Sequence, residues 1–186
     1  MSRTNRSVFL CLSVALGLAG CNRTIAPADA ETAQSPSPAI HRADDAQLLA
    51  RGEYMVRIAG CNDCHTPGYA ETGGEVPKAQ WLVGTPLGWS GPWGTTYAAN
   101  LRLKLQDMDE AAWLAYSGTL HTRPPMPDFA VRTMAEDDRR AIYRFVRSLG
   151  PAGQPAPAYL PPGATPQPPY VQWVLPPAGA SKPPAS

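Results

Sequence analysis

The segment Cys61-Asn62-Asp63-Cys64-His65 places two thiols three residues apart with an imidazole directly after them. On a helical turn, residues i and i+3 point the same way. Both sulfurs can therefore bond the two vinyl groups of one porphyrin while the adjacent imidazole reaches its iron. The motif is read as the attachment sequence for one covalent haem c, with Cys61 and Cys64 as thioether anchors and His65 as an axial ligand. Other uses of paired cysteines fit less well. A zinc ribbon needs a second cysteine pair, whereas the remaining cysteines, Cys11 and Cys21, fall in an N-terminal leader and at its cleavage point. A thioredoxin-like pair wants a βαβ setting, and the surrounding pattern is helix and loop. A disulfide between the two leaves the adjacent histidine unexplained.

A low-spin haem needs a sixth ligand, and the candidate is Met126 in Arg123-Pro124-Pro125-Met126-Pro127-Asp128-Phe129. Prolines on both sides exclude a helix and stiffen the loop, so the thioether is presented on a strap. Met55, Met108 and Met134 fall where packing is the simpler role. His121 is a rival ligand, though a lone loop histidine more often faces solvent or a propionate. His41 falls in a tether and is most simply solvated.

Three helices must position these groups. Leu48, Gly52, Met55, Val56 and Ala59 share one face of a first helix, with Asp44 and Gln47 as its expected cap. A second spans Asp109 to Ser117, with Asp107 as N-cap, Glu110 behind it and Gly118 as its stop. A third opens on Thr133 and Glu136 as a capping box. It buries Ile142, Phe145, Val146 and Leu149, and ends at Gly150-Pro151. Residues 60–107 show little periodicity but many Gly and aromatic residues. Three short helices and long loops over residues 44–150 are too little to build a core unaided, so the haem is expected at the centre.

The ends of the chain read differently. Arg3 and Arg6 precede an apolar run from Val8 to Ala19, too short to cross a bilayer as a mature helix, which makes residues 1–20 a signal peptide. The run ends in Leu18-Ala19-Gly20-Cys21, which resembles a bacterial lipobox, so Cys21 is the expected lipid attachment residue and membrane anchor. Residues 21–43 read as a flexible tether. The 186-residue chain has 22 prolines, and twelve follow Leu149, in an extension (151–186) whose sole charged side chain is Lys182. Such a segment is expected neither to form regular helices or central strands nor to be needed for ligating the haem. Its few large apolar residues, Tyr159 and Tyr170 to Leu175, could still pack over the domain as a strap. Lys+Arg 16 against Asp+Glu 15 gives a net charge of +1, which offers no basic surface for nucleic acid.

Gly52-Glu53-Tyr54-Met55, the C-x-x-C-H run, Gly94-Thr95-Thr96-Tyr97-Ala98-Ala99-Asn100-Leu101, Pro125-Met126-Pro127 and Asp137-Asp138 before Ala141-Ile142-Tyr143 resemble a class I c-type cytochrome. The subgroup it most resembles comprises the cytochrome c subunits of membrane-bound alcohol, aldehyde and sugar dehydrogenases. Two features depart from that subgroup: one haem motif rather than three, and Arg102-Leu103-Lys104 where T-P-D is usual after the asparagine. The resemblance implies an all-α cytochrome c fold of three to four short helices wrapped around one haem. Its first and last helices cross at Gly52, where Tyr143 or Phe145 approaches the backbone. It also suggests Trp93, Tyr97, Asn100 and Arg123 as haem-wall and propionate residues. The expected function is a periplasmic, lipid-anchored electron carrier rather than an enzyme, exchanging single electrons with a dehydrogenase, an oxidase or another cytochrome. A haem enzyme or gas sensor requires Met126 to leave the iron. A structural lipoprotein would instead use its Pro-rich tail for partner binding.

Overall fold

The computed structural model describes residues 38–175, with side chains from Asp44 onward. The leader, Cys21, the tether before Pro38 and residues 176–186 lie outside the described residues, as does the His41 side chain. Six helices, α1 (Pro38–Ile58), α2 (Cys61–His65), α3 (Leu101–Lys104), α4 (Glu110–Gly118), α5 (Asp128–Thr133) and α6 (Glu136–Ser148), are joined by loops and two 3-10 turns. Three short strands, β1 (Gly88–Gly91), β2 (Gly94–Tyr97) and β3 (Tyr170–Gln172), form a sheet in the order β2-β1-β3. The fold is thus helical with a small sheet, not all-α. No helix among the described residues is long and apolar enough to cross a membrane.

Helix α1 and helix α6 form the main helix pair. A Cβ on Gly52 would stand 2.1 Å from the Ala141 carbonyl oxygen and 2.6 Å from the Phe145 Cβ, so only glycine lets the two backbones approach this closely. Of the two aromatic residues expected there, Phe145 makes the contact. Tyr143 turns elsewhere and donates its hydroxyl to the Met108 carbonyl at 2.9 Å. Met55 and Val56 of α1 meet Ile142, Phe145 and Val146 of α6 in a core that also holds Trp81, Leu82, Leu105 and Trp113.

The helix starts differ from the sequence expectations. Helix α1 begins six residues before Asp44, inside the expected tether, because Pro38 suits a first helical turn that needs no amide donor. Helix α4 is capped by Asp109 and not Asp107. The Asp109 Oδ1 accepts from the Ala112 amide at 2.8 Å, and Asp107 closes a 3-10 turn. The Thr133–Glu136 capping box does not form. Thr133 ends α5, where its hydroxyl donates to the Phe129 carbonyl at 3.0 Å, and Ala135 opens α6 with no side-chain cap. Glu136, Asp137 and Asp138 in the first turn of α6 suit its positive dipole end instead.

The end of α6 is held by Arg102, the residue that departs from the T-P-D pattern. It is 5% exposed and donates to the carbonyls of Gly150 (2.6 Å), Leu149 and Ala79 (2.7 Å). Its guanidinium supplies donors to helix-end carbonyls that would otherwise lack them.

The segment after Gly150 is woven into the domain. Asn100 Nδ2 donates to the Ala152 and Gln154 carbonyls at 2.8 and 3.2 Å, and Thr95 and Leu160 exchange both backbone bonds at 2.8 and 3.0 Å. A Cβ on Gly94, whose φ is +96°, would lie 2.2 Å from the Leu160 oxygen. Strand β3 then runs parallel to β1, pairing Gly88 with Tyr170 and Ser90 with Gln172. Truncation after Gly150 removes all of these bonds. At about 1 kcal/mol for each of the three best, it is expected to lower the melting temperature by about 10 °C in a thermal melt. An unchanged melt would show the strap to be a loose appendage.

Candidate functional site

Helix α2 sets the thiols of Cys61 and Cys64 one turn apart, and neither is in a disulfide. Burial pushes the Cys61 thiol up to about 11 and raises Cys64 as well. Thiol–disulfide chemistry favours the opposite shift. The turn is pinned from behind: fully buried Asn62 accepts from the Thr66 hydroxyl at 2.7 Å, and that hydroxyl accepts from the Leu82 amide at 2.8 Å.

His65 is buried, and its Nδ1 lies 2.7 Å from the Ala99 carbonyl oxygen. A carbonyl only accepts, so Nδ1 must carry the proton. Burial lowers the imidazole's pKa, which keeps the ring neutral at physiological pH. The remaining nitrogen, Nε2, is left with a bare lone pair. This is the form that ligates a metal, held in orientation by its outer hydrogen bond.

Cys61, Cys64 and His65 line a cavity of about 390 Å³, and Pro125, Met126 and Pro127 line it too. That volume falls within the range of roughly 300–1,000 Å³ typical of ligand pockets. The Met126 loop is tied down at several points. The Thr96 hydroxyl donates to the Pro124 carbonyl at 2.8 Å and the Asp128 amide to the Met126 carbonyl at 2.9 Å. Asp128 closes the loop by accepting from the Thr122 amide at 2.5 Å and pairing with Arg132 at 2.8 Å. That backbone bond, seconded by Arg132, holds the Asp128 carboxyl below its ordinary value.

The rest of the lining is mostly apolar, with Trp113, Leu120, Ala130, Val131 and Ile142 among its members. Lys104, Arg123 and His121 also line it, and among the described residues no carboxylate does. Arg123 lies over the Tyr159 ring at 3.8 Å and Lys104 over the Tyr116 ring at 4.6 Å. Trp89 also lines the wall, and its indole N–H is buried without a partner among the described residues. A flat apolar group with anionic substituents fits this combination, since the cations can meet its acid groups. Haem is such a group.

Of the wall and propionate candidates, Tyr97 and Arg123 line the cavity. Trp93 and Asn100 do not. Trp93 sits at the β1–β2 turn, where its indole donates to the Trp89 carbonyl at 3.3 Å and packs edge-on against Trp173. Asn100 caps α3 through the Leu103 amide and spends its amide donors on the C-terminal strap. Trp89, Lys104, Pro157 and Tyr159 line the cavity without having been expected from sequence. Trp89 lies inside β1, whereas Trp93 belongs to a turn. Met134 and His121 line the same cavity as Met126, while Met55 is core and Met108 receives Tyr143 through its carbonyl.

No family model matches this chain, and no solved structure matches it. It is similar to the "Alcohol dehydrogenase (quinone), cytochrome c subunit" of Gluconobacter oxydans (strain 621H), with 30% identity over 122 residues, 58% of this chain. The match covers 23% of the relative, so the chain spans less than a quarter of that protein's length. This partial, distant similarity supports a cytochrome c-like relationship.

Proposed function

We propose that the protein is a mono-haem c-type cytochrome, lipid-anchored on the periplasmic side of a bacterial membrane. It passes single electrons between a donor dehydrogenase or other redox protein and a respiratory acceptor. The observation that carries this reading is one cavity lined both by the Cys61-x-x-Cys64-His65 turn and by the Met126 strap. The relative named above, a cytochrome c subunit of a dehydrogenase, points the same way.

When bound, haem c supplies a one-electron Fe(II)/Fe(III) couple. Cys61 and Cys64 would hold it covalently. His65 Nε2 and the Met126 sulfur would be its protein ligands, and Lys104 and Arg123 would meet its anionic edge. The Ala99 carbonyl fixes the His65 tautomer and orients its ring, so the imidazole would be held in one position toward the group it ligates. The bonds around Asp128 hold the Met126 strap in the same way. With His65 and Met126 both holding the group, little room would be left for water or small gases, which would favour electron transfer over ligand chemistry.

Membrane attachment rests on the charged leader and the Leu18-Ala19-Gly20-Cys21 run. One experiment tests both parts of the reading. Intact-mass spectrometry of protein purified from the membrane fraction is expected to show a chain beginning at Cys21, carrying one haem and a lipid. A mass equal to the bare polypeptide would overturn the haem assignment. A haem-bearing chain without lipid would leave a plain secreted carrier.

A further inference from the structure

Five of the six residues from Tyr170 to Leu175 are large apolar side chains about two-fifths or more exposed, with Val174 at 83% and Leu175 at 60%. No charged side chain occurs from Pro151 to Leu175. The ion pairs of the domain, such as Arg140 and Arg144 with Glu110, lie on other elements. Large exposed apolar side chains grouped on one short segment mark a contact surface. The aromatic content is that of an interface centre.

This run is linked to the cofactor cavity by one ring contact and one hydrogen bond. Tyr159 lines the cavity and donates its hydroxyl to the Trp93 carbonyl at 2.9 Å. Trp93 packs edge-on against Trp173, ring centres 5.8 Å apart. An exposed ring therefore stands two side chains from a wall of the cavity. Electron transfer slows steeply with distance, so a partner must dock where the path to the redox group is short.

We infer that the Tyr170–Leu175 face docks a redox protein whose own docking face is uncharged and apolar, and that electrons cross there. The inference rests on the haem reading above. The choice of partner follows from charge complementarity: a charged partner face would lose its hydration here and meet no counter-charge. In the transfer, one electron leaves the one-electron centre of one protein and reduces that of the other, and no bond is made or broken. Association through such a face responds little to salt, unlike steering between opposite charges.

Electron self-exchange supplies the probe, since a second copy in the opposite redox state presents the same uncharged face. NMR line broadening in mixtures of oxidised and reduced holoprotein reads the rate. Wild type is expected to exchange at a rate that varies little between low and high salt. Val174→Glu with Leu175→Glu, both on well-exposed positions, is expected to slow exchange about tenfold at low salt, with recovery as salt rises. Val174→Lys with Leu175→Lys should behave alike, and a mixture of the two double variants should exchange faster than either alone. Absorption spectrum and midpoint potential should stay as in wild type. Variants that exchange like wild type would overturn the inference. So would wild-type binding to phosphatidylcholine vesicles that the variants lose, which would make the face a membrane contact. A stable dimer in sedimentation that the variants dissociate would equally overturn it. A purified protein without a haem spectrum would overturn the functional reading and this inference together, whereas a haem-bearing protein with unaffected exchange would overturn this inference alone.

Discussion

Replacing Cys61 and Cys64 together by alanine is expected to give a colourless chain that does not fold. The two thiols are the only covalent attachment the cavity offers among the described residues, and without them the group that fills it is lost. What remains is a space of about 390 Å³ walled by Trp113, Leu120, Ile142 and other apolar side chains. Partly open to solvent, the space would flood and wet apolar walls that the bound group covers, a loss that a domain with roughly 5–15 kcal/mol of total stability tolerates poorly. Far-UV circular dichroism and a thermal melt read the outcome. A cooperative melt from the colourless double variant would show that the polypeptide packs a core of its own and that the haem is an accessory to the fold.

The parts of the molecule legible in the sequence are those whose signal is local. C-x-x-C-H needs only five residues, and those five form a helical turn of their own. The apolar stripe of α6 and the close approach at Gly52 follow from a repeat of three to four residues, and both meet in the α1–α6 contact. The sheet left no such trace. Strands β1 and β3 are three to four residues long, lie far apart in sequence and pair in parallel, while two of the four β1 residues are glycine. The prolines of the C-terminal segment rightly exclude helix, but they say nothing of the carbonyls and remaining amides that bind Thr95, Asn100 and Ser90. Capping failed for a related reason. The Thr133–Glu136 spacing is correct, but the Thr133 hydroxyl already serves the preceding helix, a contact visible only when α5 is in place. Trp93 precedes and Asn100 lies within the Gly94–Leu101 run, yet neither lines the cavity. The choice between Trp89 and Trp93 depended on where the hairpin turns, and that was set by β2 and the strap together.

Met126 decides between a carrier and an open haem site, and the structure sharpens the test because Met134 and His121 line the same cavity. With the Met126 sulfur on the iron, the oxidised protein shows a sulfur-to-iron charge-transfer band. Met126→Ala is expected to abolish it, to admit carbon monoxide, and to lower the midpoint potential by a tenth or more of the roughly 0.8 V that axial ligands span. Met126→His should keep a six-coordinate low-spin spectrum at lower potential, since imidazole stabilises Fe(III) more than a thioether does. Met134→Ala, Met108→Ala and Met55→Ala should each leave the band in place. For Met134 this follows from the backbone: it caps α5 and packs against the core, whereas Met126 sits on a loop fixed by Thr96, Thr122 and Asp128. His121→Ala should also leave the band, because that ring is exposed and its Nδ1 already lies 3.3 Å from Arg132. Loss of the band with Met134→Ala instead would move the sulfur ligand to α5. A wild-type protein that lacks the band and binds carbon monoxide readily would make the iron an open site and the protein a candidate haem enzyme or gas sensor.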